Sequence, residues 1–81
     1  MEKLFVWKFI IPHNKYVPLK SDSGIAFSGC MTVAVAETEA LAREAVTKYA
    51  AENGFDCRWM EVADVRRLEL ASGAVLGWVM A

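Results

Sequence analysis

Residues 24–54 read GIAFSGCMTVAVAETEALAREAVTKYAAENG, and the change of period within this stretch decides the fold. From Ile25 to Ala36 the pattern alternates every two residues, as a strand requires. Ile25, Phe27, Met31, Val33 and Val35 fall on one side; Ala26, Ser28, Cys30, Thr32, Ala34 and Ala36 fall on the other. The larger, more apolar side is expected to meet the helix. From Thr38 to Asn53 the spacing becomes helical. Thr38 is placed to cap the N-terminus, with Glu39 in the first turn at the positive end of the dipole. Leu41, Ala42, Ala45, Val46 and Tyr49 form the apolar stripe, which predicts Val46 and Tyr49 facing the sheet and Arg43, Glu44 and Lys48 exposed. Glu39–Arg43 and Glu44–Lys48 are i,i+4 pairs in the favourable order. Asn53-Gly54 ends the helix, with glycine free to take the left-handed conformation. Ala40, Ala45, Ala50 and Ala51 keep the helix slim enough to lie close on a sheet.

Upstream, Leu4 to Ile11 reads as a strand that stops at Pro12. Phe5, Trp7, Phe9 and Ile11 share one face; Leu4, Val6, Lys8 and Ile10 share the other. Apolar residues on both faces predict a central or covered strand. Pro12 to Gly24, with two prolines and a Ser-Asp-Ser-Gly run, reads as a thirteen-residue loop. Downstream, Cys57 to Leu70 is a β-type stretch with a broken period, which predicts a bulge near Ala63-Asp64. Ala71 to Ala74 reads as a tight turn with Gly73 at positive φ, and Ala74 to Met80 as the last strand. A two-residue Ser72-Gly73 loop would set Leu70 opposite Val75, Leu68 opposite Gly77 and Arg67 opposite Trp78, the last as a cation–π pair. Gly77 would leave room for a helix side chain or Trp7. The expected architecture is α+β in the order ββαββ: one domain over residues 1–81, a four-stranded antiparallel sheet with one helix on one face.

Composition narrows the function. The 81 residues are 56% hydrophobic and 23% charged, with a formal net charge of −1, which suits a folded core and not a disordered chain. Near-neutral charge argues against strong non-specific nucleic-acid binding and against an acidic mimic of a nucleic-acid backbone. The charge is uneven: residues 1–20 carry +3 and residues 21–81 carry −4. No run approaches the length of a membrane span. Met1-Glu2-Lys3 precedes an apolar run broken by Lys8, with no small-residue cleavage site after it, so no signal peptide is expected. Cys30 and Cys57 read as reduced thiols, and the expected location is cytoplasmic.

Chemistry-bearing groups are few. His13 is the one histidine and reads as a solvated loop residue. Cys30 and His13 form at best a weak nucleophile–base candidate, because Cys30 falls in mid-strand and reads as a packing residue, as does Cys57. No C-x-x-C, H-x-x-x-H or D-x-D-x-D-G spacing occurs, and the five glycines form no phosphate-binding loop. The reading is therefore of a non-enzyme with no cofactor and no metal. Phe5, Trp7 and Phe9 on one strand could stack bases, but acids interleave with Arg58, Arg66 and Arg67, so single-strand nucleic-acid binding is the weaker alternative.

Protein contact remains. Three tryptophans in 81 residues, with Met60 and Met80, exceed what one helix hides. Two contact surfaces are candidates: the terminal hairpin with Arg66, Arg67 and Trp78, and the loop with Lys15, Tyr16 and Lys20. The hairpin is expected to anchor a partner. The loop, which must be ordered on binding, is expected to orient it. A homodimer is the alternative partner.

The run VAVAETEALAREAVTKYAAENGFDCRWMEV, followed by the ending GAVLGWVMA, resembles small phage and prophage proteins, among them compact anti-CRISPR proteins with one helix on an antiparallel sheet. The resemblance is one of pattern and size over most of the chain, and it transfers no functional residue. It implies a non-catalytic inhibitor in the host-cell cytoplasm that sterically masks a surface of a bacterial defence nuclease complex, such as a CRISPR effector. The near-neutral charge departs from the acidic members that mimic DNA.

Overall fold

The computed structural model describes residues 3–77. It is α+β, with strands β1 (Phe5–Ile11), β2 (Val17–Leu19), β3 (Asp22–Phe27) and β4 (Cys30–Ala36), helix α1 (Glu39–Asn53), a 3-10 helix (Arg58–Glu61) and strand β5 (Asp64–Leu68). All strand pairing is antiparallel, but the expected single four-stranded sheet is not formed. The strands divide into a three-stranded sheet in the order β4-β1-β5 and a two-stranded sheet β2-β3. Strand β1 is central, in keeping with its apolar residues on both faces.

Two strands and a break replace the single strand expected over 25–36. At Gly29 the backbone takes φ +66°, which ends the extended run between β3 and β4. The Gly29 N–H donates to Pro12 O at 3.3 Å, and the Ser28 hydroxyl donates to His13 O at 3.1 Å. A side chain at Gly29 would collide with the His13 ring, 2.6 Å from Nδ1. Both the left-handed backbone and the close approach therefore require glycine here. The thirteen-residue loop is corrected in the same way. It contains β2 and the start of β3, joined by a turn at Lys20-Ser21. Pro18 is tolerated because a two-stranded sheet has only edge strands. Residues 12–27 thus extend the β1–β4 hairpin as a second, offset hairpin.

The side of β4 that meets the helix is the reverse of the expectation. Pairing sets Trp7 opposite Ala34, Phe9 opposite Thr32 and Ile11 opposite Cys30. Directly opposed residues share a face, so the small side of β4 lies with the core residues of β1. The bulk of that core comes from Phe9, Ile11, Trp59 and Met60, which leaves room for α1 only over the small residues. The helix answers with its own small residues: Ala42, Val46 and Ala50 are buried. The stripe is rotated from the one expected. Leu41 is 46% and Tyr49 60% exposed, so Tyr49 is not part of the buried stripe; its ring lies beside Phe55 at 6.1 Å, tilted by 37°. Glu44 and Lys48 are exposed as expected. Arg43 is half-buried: its guanidinium lies 5.1 Å from the Phe9 ring and donates to Met60 O at 3.0 Å.

The helix ends follow the local sequence. Thr38 Oγ1 accepts from the Leu41 N–H at 3.2 Å, Arg43 pairs with Glu39 at 3.2 Å, and Gly54 closes the C-terminus at φ 71°. Thr38→Ala leaves that N–H without its side-chain acceptor and should cost about 1 kcal/mol, measurable as a lowered urea midpoint with unchanged m-value.

Residues 58–61 form a 3-10 helix, not a strand. Trp59 and Met60 are adjacent and both buried; a strand would send them to opposite faces, whereas a 3-10 turn brings both into the core. The broken period at Ala63-Asp64 is thus the start of β5, not a bulge. The turn at 71–74 is present, with the Ala74 N–H donating to Ala71 O at 3.1 Å and Gly73 at φ 82°. The strand expected after it is not present through Gly77. β5 pairs with β1 instead: Lys8 opposite Arg66, Trp7 opposite Arg67, Val6 opposite Leu68. Gly77 rests on Met31, 2.9 Å from its sulfur to a built Cβ, and not against the helix or Trp7. Trp78, Val79 and Met80 lie outside the described residues.

Candidate protein-binding surfaces

Strands β1 and β5 build the first surface. Phe5 has two cations near its ring: Lys3 Nζ lies 5.3 Å and the Arg67 guanidinium 4.6 Å from its centre. Phe5 meets Trp7 edge-on at 6.3 Å and 77°. Trp7 is fixed in turn, because its indole N–H donates to Ala36 O at 2.9 Å. Among the described residues the ring beside Arg67 is Phe5; the expected pair with Trp78 lies outside them. Arg66 is exposed on the opposite face of the sheet beside Lys8. Two like charges placed directly opposite each other are held there by backbone pairing, not by mutual attraction. The result is a basic, aromatic strip along the β5 edge, with Asp64 at its far end opposite Ile10. Of the expected anchor, Arg67 sits on the Phe5 face and Arg66 on the opposite face of the same edge strand; Trp78 lies outside the described residues.

Lys15, Tyr16 and Lys20 are all exposed, Tyr16 by 80%. The segment that bears them is anchored, contrary to the expectation of an unanchored loop. The Lys15 N–H donates to Pro12 O at 3.2 Å, Ser28 holds His13 O, and Lys20 sits in the β2–β3 turn. The ordering cost expected on binding is largely met by the fold.

Sequence reasoning did not find the third surface. A groove runs between α1 and β4. One part, a cavity of about 410 Å³, is lined by Thr32, Val33, Ala34, Ala45, Val46 and Tyr49. The adjoining part, about 260 Å³, shares Thr32, Val46 and Tyr49 and reaches Phe55 and Trp59. The alanines that keep the helix slim leave this space. Placing Tyr49 in the core stripe hid it.

Cys30 and His13 do border a common small cavity, but the thiol is poorly placed for nucleophilic work. Burial, and then the Asp56 carboxylate, push its pKa up, and its S–H points to Ser28 O at 3.6 Å. A thiol held protonated is a weak nucleophile. Among the described residues no cluster of three His, Cys, Asp or Glu side chains is arranged to hold a metal, and no helix is long and apolar enough to cross a membrane.

The Asp56–Arg58 pair is the sharpest electrostatic feature. Arg58 Nη2 lies 2.7 Å from Asp56 Oδ2, and the Arg58 backbone N–H also donates to Asp56, at 3.0 Å. These bonds lower the Asp56 pKa to about 2. A lowered folded-state pKa gives stabilisation that is present above the ordinary carboxylate range and is lost as pH falls toward 2. Both side chains are about half exposed, so salt weakens the effect. A carboxyl NMR titration should place the Asp56 midpoint near 2 in the native chain and at about 3.9 in Arg58→Ala.

The chain matches no family model, no curated protein and no solved structure.

Proposed function

We propose that this protein is a non-enzymatic protein-binding module. In this reading it is a phage-type inhibitor of the anti-CRISPR kind it resembles, acting in the host cytoplasm by covering a surface of a bacterial defence nuclease complex. The observation that carries the reading is the cluster of Lys3 and Arg67 at the Phe5 ring, seated on paired strands and braced by Trp7. Arginine and aromatic side chains dominate binding hot spots, and a cluster already ordered in the free protein loses little entropy when a partner covers it. Arg66, on the other face of the β5 edge, and Trp78 complete the proposed anchor. Lys15, Tyr16 and Lys20 form a second, outlying contact whose positive charge steers association.

Binding kinetics on the purified partner complex test this division of labour. Arg67→Ala with Trp78→Ala should abolish binding. Lys15→Ala with Lys20→Ala should slow association and leave dissociation nearly unchanged. Abolition by the lysine pair alone, with the arginine–tryptophan pair folded and still binding, would reverse the assignment. The same cations and rings would also suit single-stranded nucleic acid. Affinity for an oligonucleotide that is tight at low salt and falls steeply as salt rises would assign the strip to that ligand instead.

A further inference from the structure

The chain protects its sheet edges unevenly. The β5 edge carries Asp64, Arg66 and Arg67, and β2 carries Pro18. Charges and proline are the usual devices against unwanted strand pairing. β4 has none of them. Its seven residues, CMTVAVA, are uncharged and contain no proline, and they pair with β1 in unbroken register. Among the described residues no strand pairs with its other edge. Beside that edge lies the α1–β4 groove, and Val35 is 54% exposed on the opposite face.

We propose that a second copy of this chain occupies this edge, through antiparallel β4–β4 pairing about a two-fold axis normal to the sheet. The register that uses the whole strand sets Val33 opposite its own copy. It then pairs Met31 with Val35 on one face, covering the exposed valine. It pairs Thr32 with Ala34 and Cys30 with Ala36 on the other, small against small beneath the helices. Because the axis keeps faces together, both α1 helices lie on one side of a continuous six-stranded sheet. Their grooves open onto each other, with Tyr49 and Ala45 of each copy at the seam.

Charge supports a second copy as the occupant. β4 places no like charges across the axis. Its C-terminal end leads to Glu37, and its N-terminal end lies against Gly29, covered by the His13 ring, with Lys15 on the same loop. Antiparallel pairing brings Glu37 of one copy to the His13–Lys15 end of the other, twice by symmetry. The other acids near these ends are already matched: Glu39 by Arg43 and Asp56 by Arg58.

Sedimentation equilibrium tests the proposal. The native chain should be a concentration-dependent dimer. Val33→Lys and Val33→Glu should each be monomeric, with native circular dichroism, because each sets like charges face to face. An equimolar mixture of the two should restore a dimer. A native chain that stays monomeric would overturn the proposal, as would a Val33→Lys variant that stays dimeric or a mixture that does not associate. Hydrogen exchange on the native chain reads the same edge without relying on the variants. Amides of β4 should gain protection as concentration rises; protection that does not change with concentration would overturn the proposal.

Discussion

Phe9→Ala should lose about 3–5 kcal/mol of stability, the range for removing a buried aromatic side chain. Phe9 is fully buried at the centre of β1, between α1, the 3-10 helix and β5, so no neighbouring solvent can fill the space left behind. Arg43 makes the loss larger, because its half-buried guanidinium faces the Phe9 ring. A domain of this length has roughly 4–12 kcal/mol in total, so the variant should be partly unfolded at 37 °C. Urea unfolding followed by tryptophan fluorescence measures it. A midpoint equal to that of the native chain would mean that Phe9 does not sit in the core described here.

Ala42→Asp should be more severe still. Ala42 is fully buried in the apolar core, so the new side chain both overfills the contact and places an unpaired carboxylate in an apolar site. The introduced carboxyl would have a raised folded-state pKa, which makes the deficit greatest at neutral pH. As pH falls below about 4, the charge is removed and only the steric cost remains. Val46→Asp, one turn on, should cost several kcal/mol but less than Ala42→Asp, because Val46 borders the groove and a carboxylate there can reach water. Thermal melts of the two variants at neutral and acid pH separate these effects. Equal stability of Ala42→Asp and the native chain would refute the helix–sheet packing.

What could be read in the sequence was local. The helix, its Thr38 cap, its Gly54 stop and the 71–74 turn depend on residues a few positions apart, and they stand where the pattern puts them. Partner choice is not local. β5 and the turn after it suggest a hairpin, but β1, paired with β4 on one edge, offers its other edge and a richly apolar face, and β5 pairs there. Alternation runs smoothly through Phe27-Ser28-Gly29-Cys30, so nothing in the period announces the left-handed backbone at Gly29. The rule that larger side chains face inward fails at β4 and at Tyr49 for one reason. Phe9, Trp59 and Met60 already fill the core, and only alanine-sized contacts let the helix approach. Of the contact surfaces, Arg67 was visible as a cation seeking a ring, whereas its ring, Phe5, depended on a pairing that the sequence does not spell out.

The most direct measurement is a titration of purified protein against a panel of bacterial defence nuclease complexes, read as nuclease activity. The native chain should silence one complex at near-stoichiometric ratio. Phe5→Ala with Arg67→Ala should leave that complex active, and Arg67→Ala alone should weaken inhibition, each with a thermal melt showing the folded state. Full activity of every complex at saturating native protein would contradict masking as the function. Undiminished inhibition by the folded double variant would contradict the Phe5–Arg67 strip as its anchor.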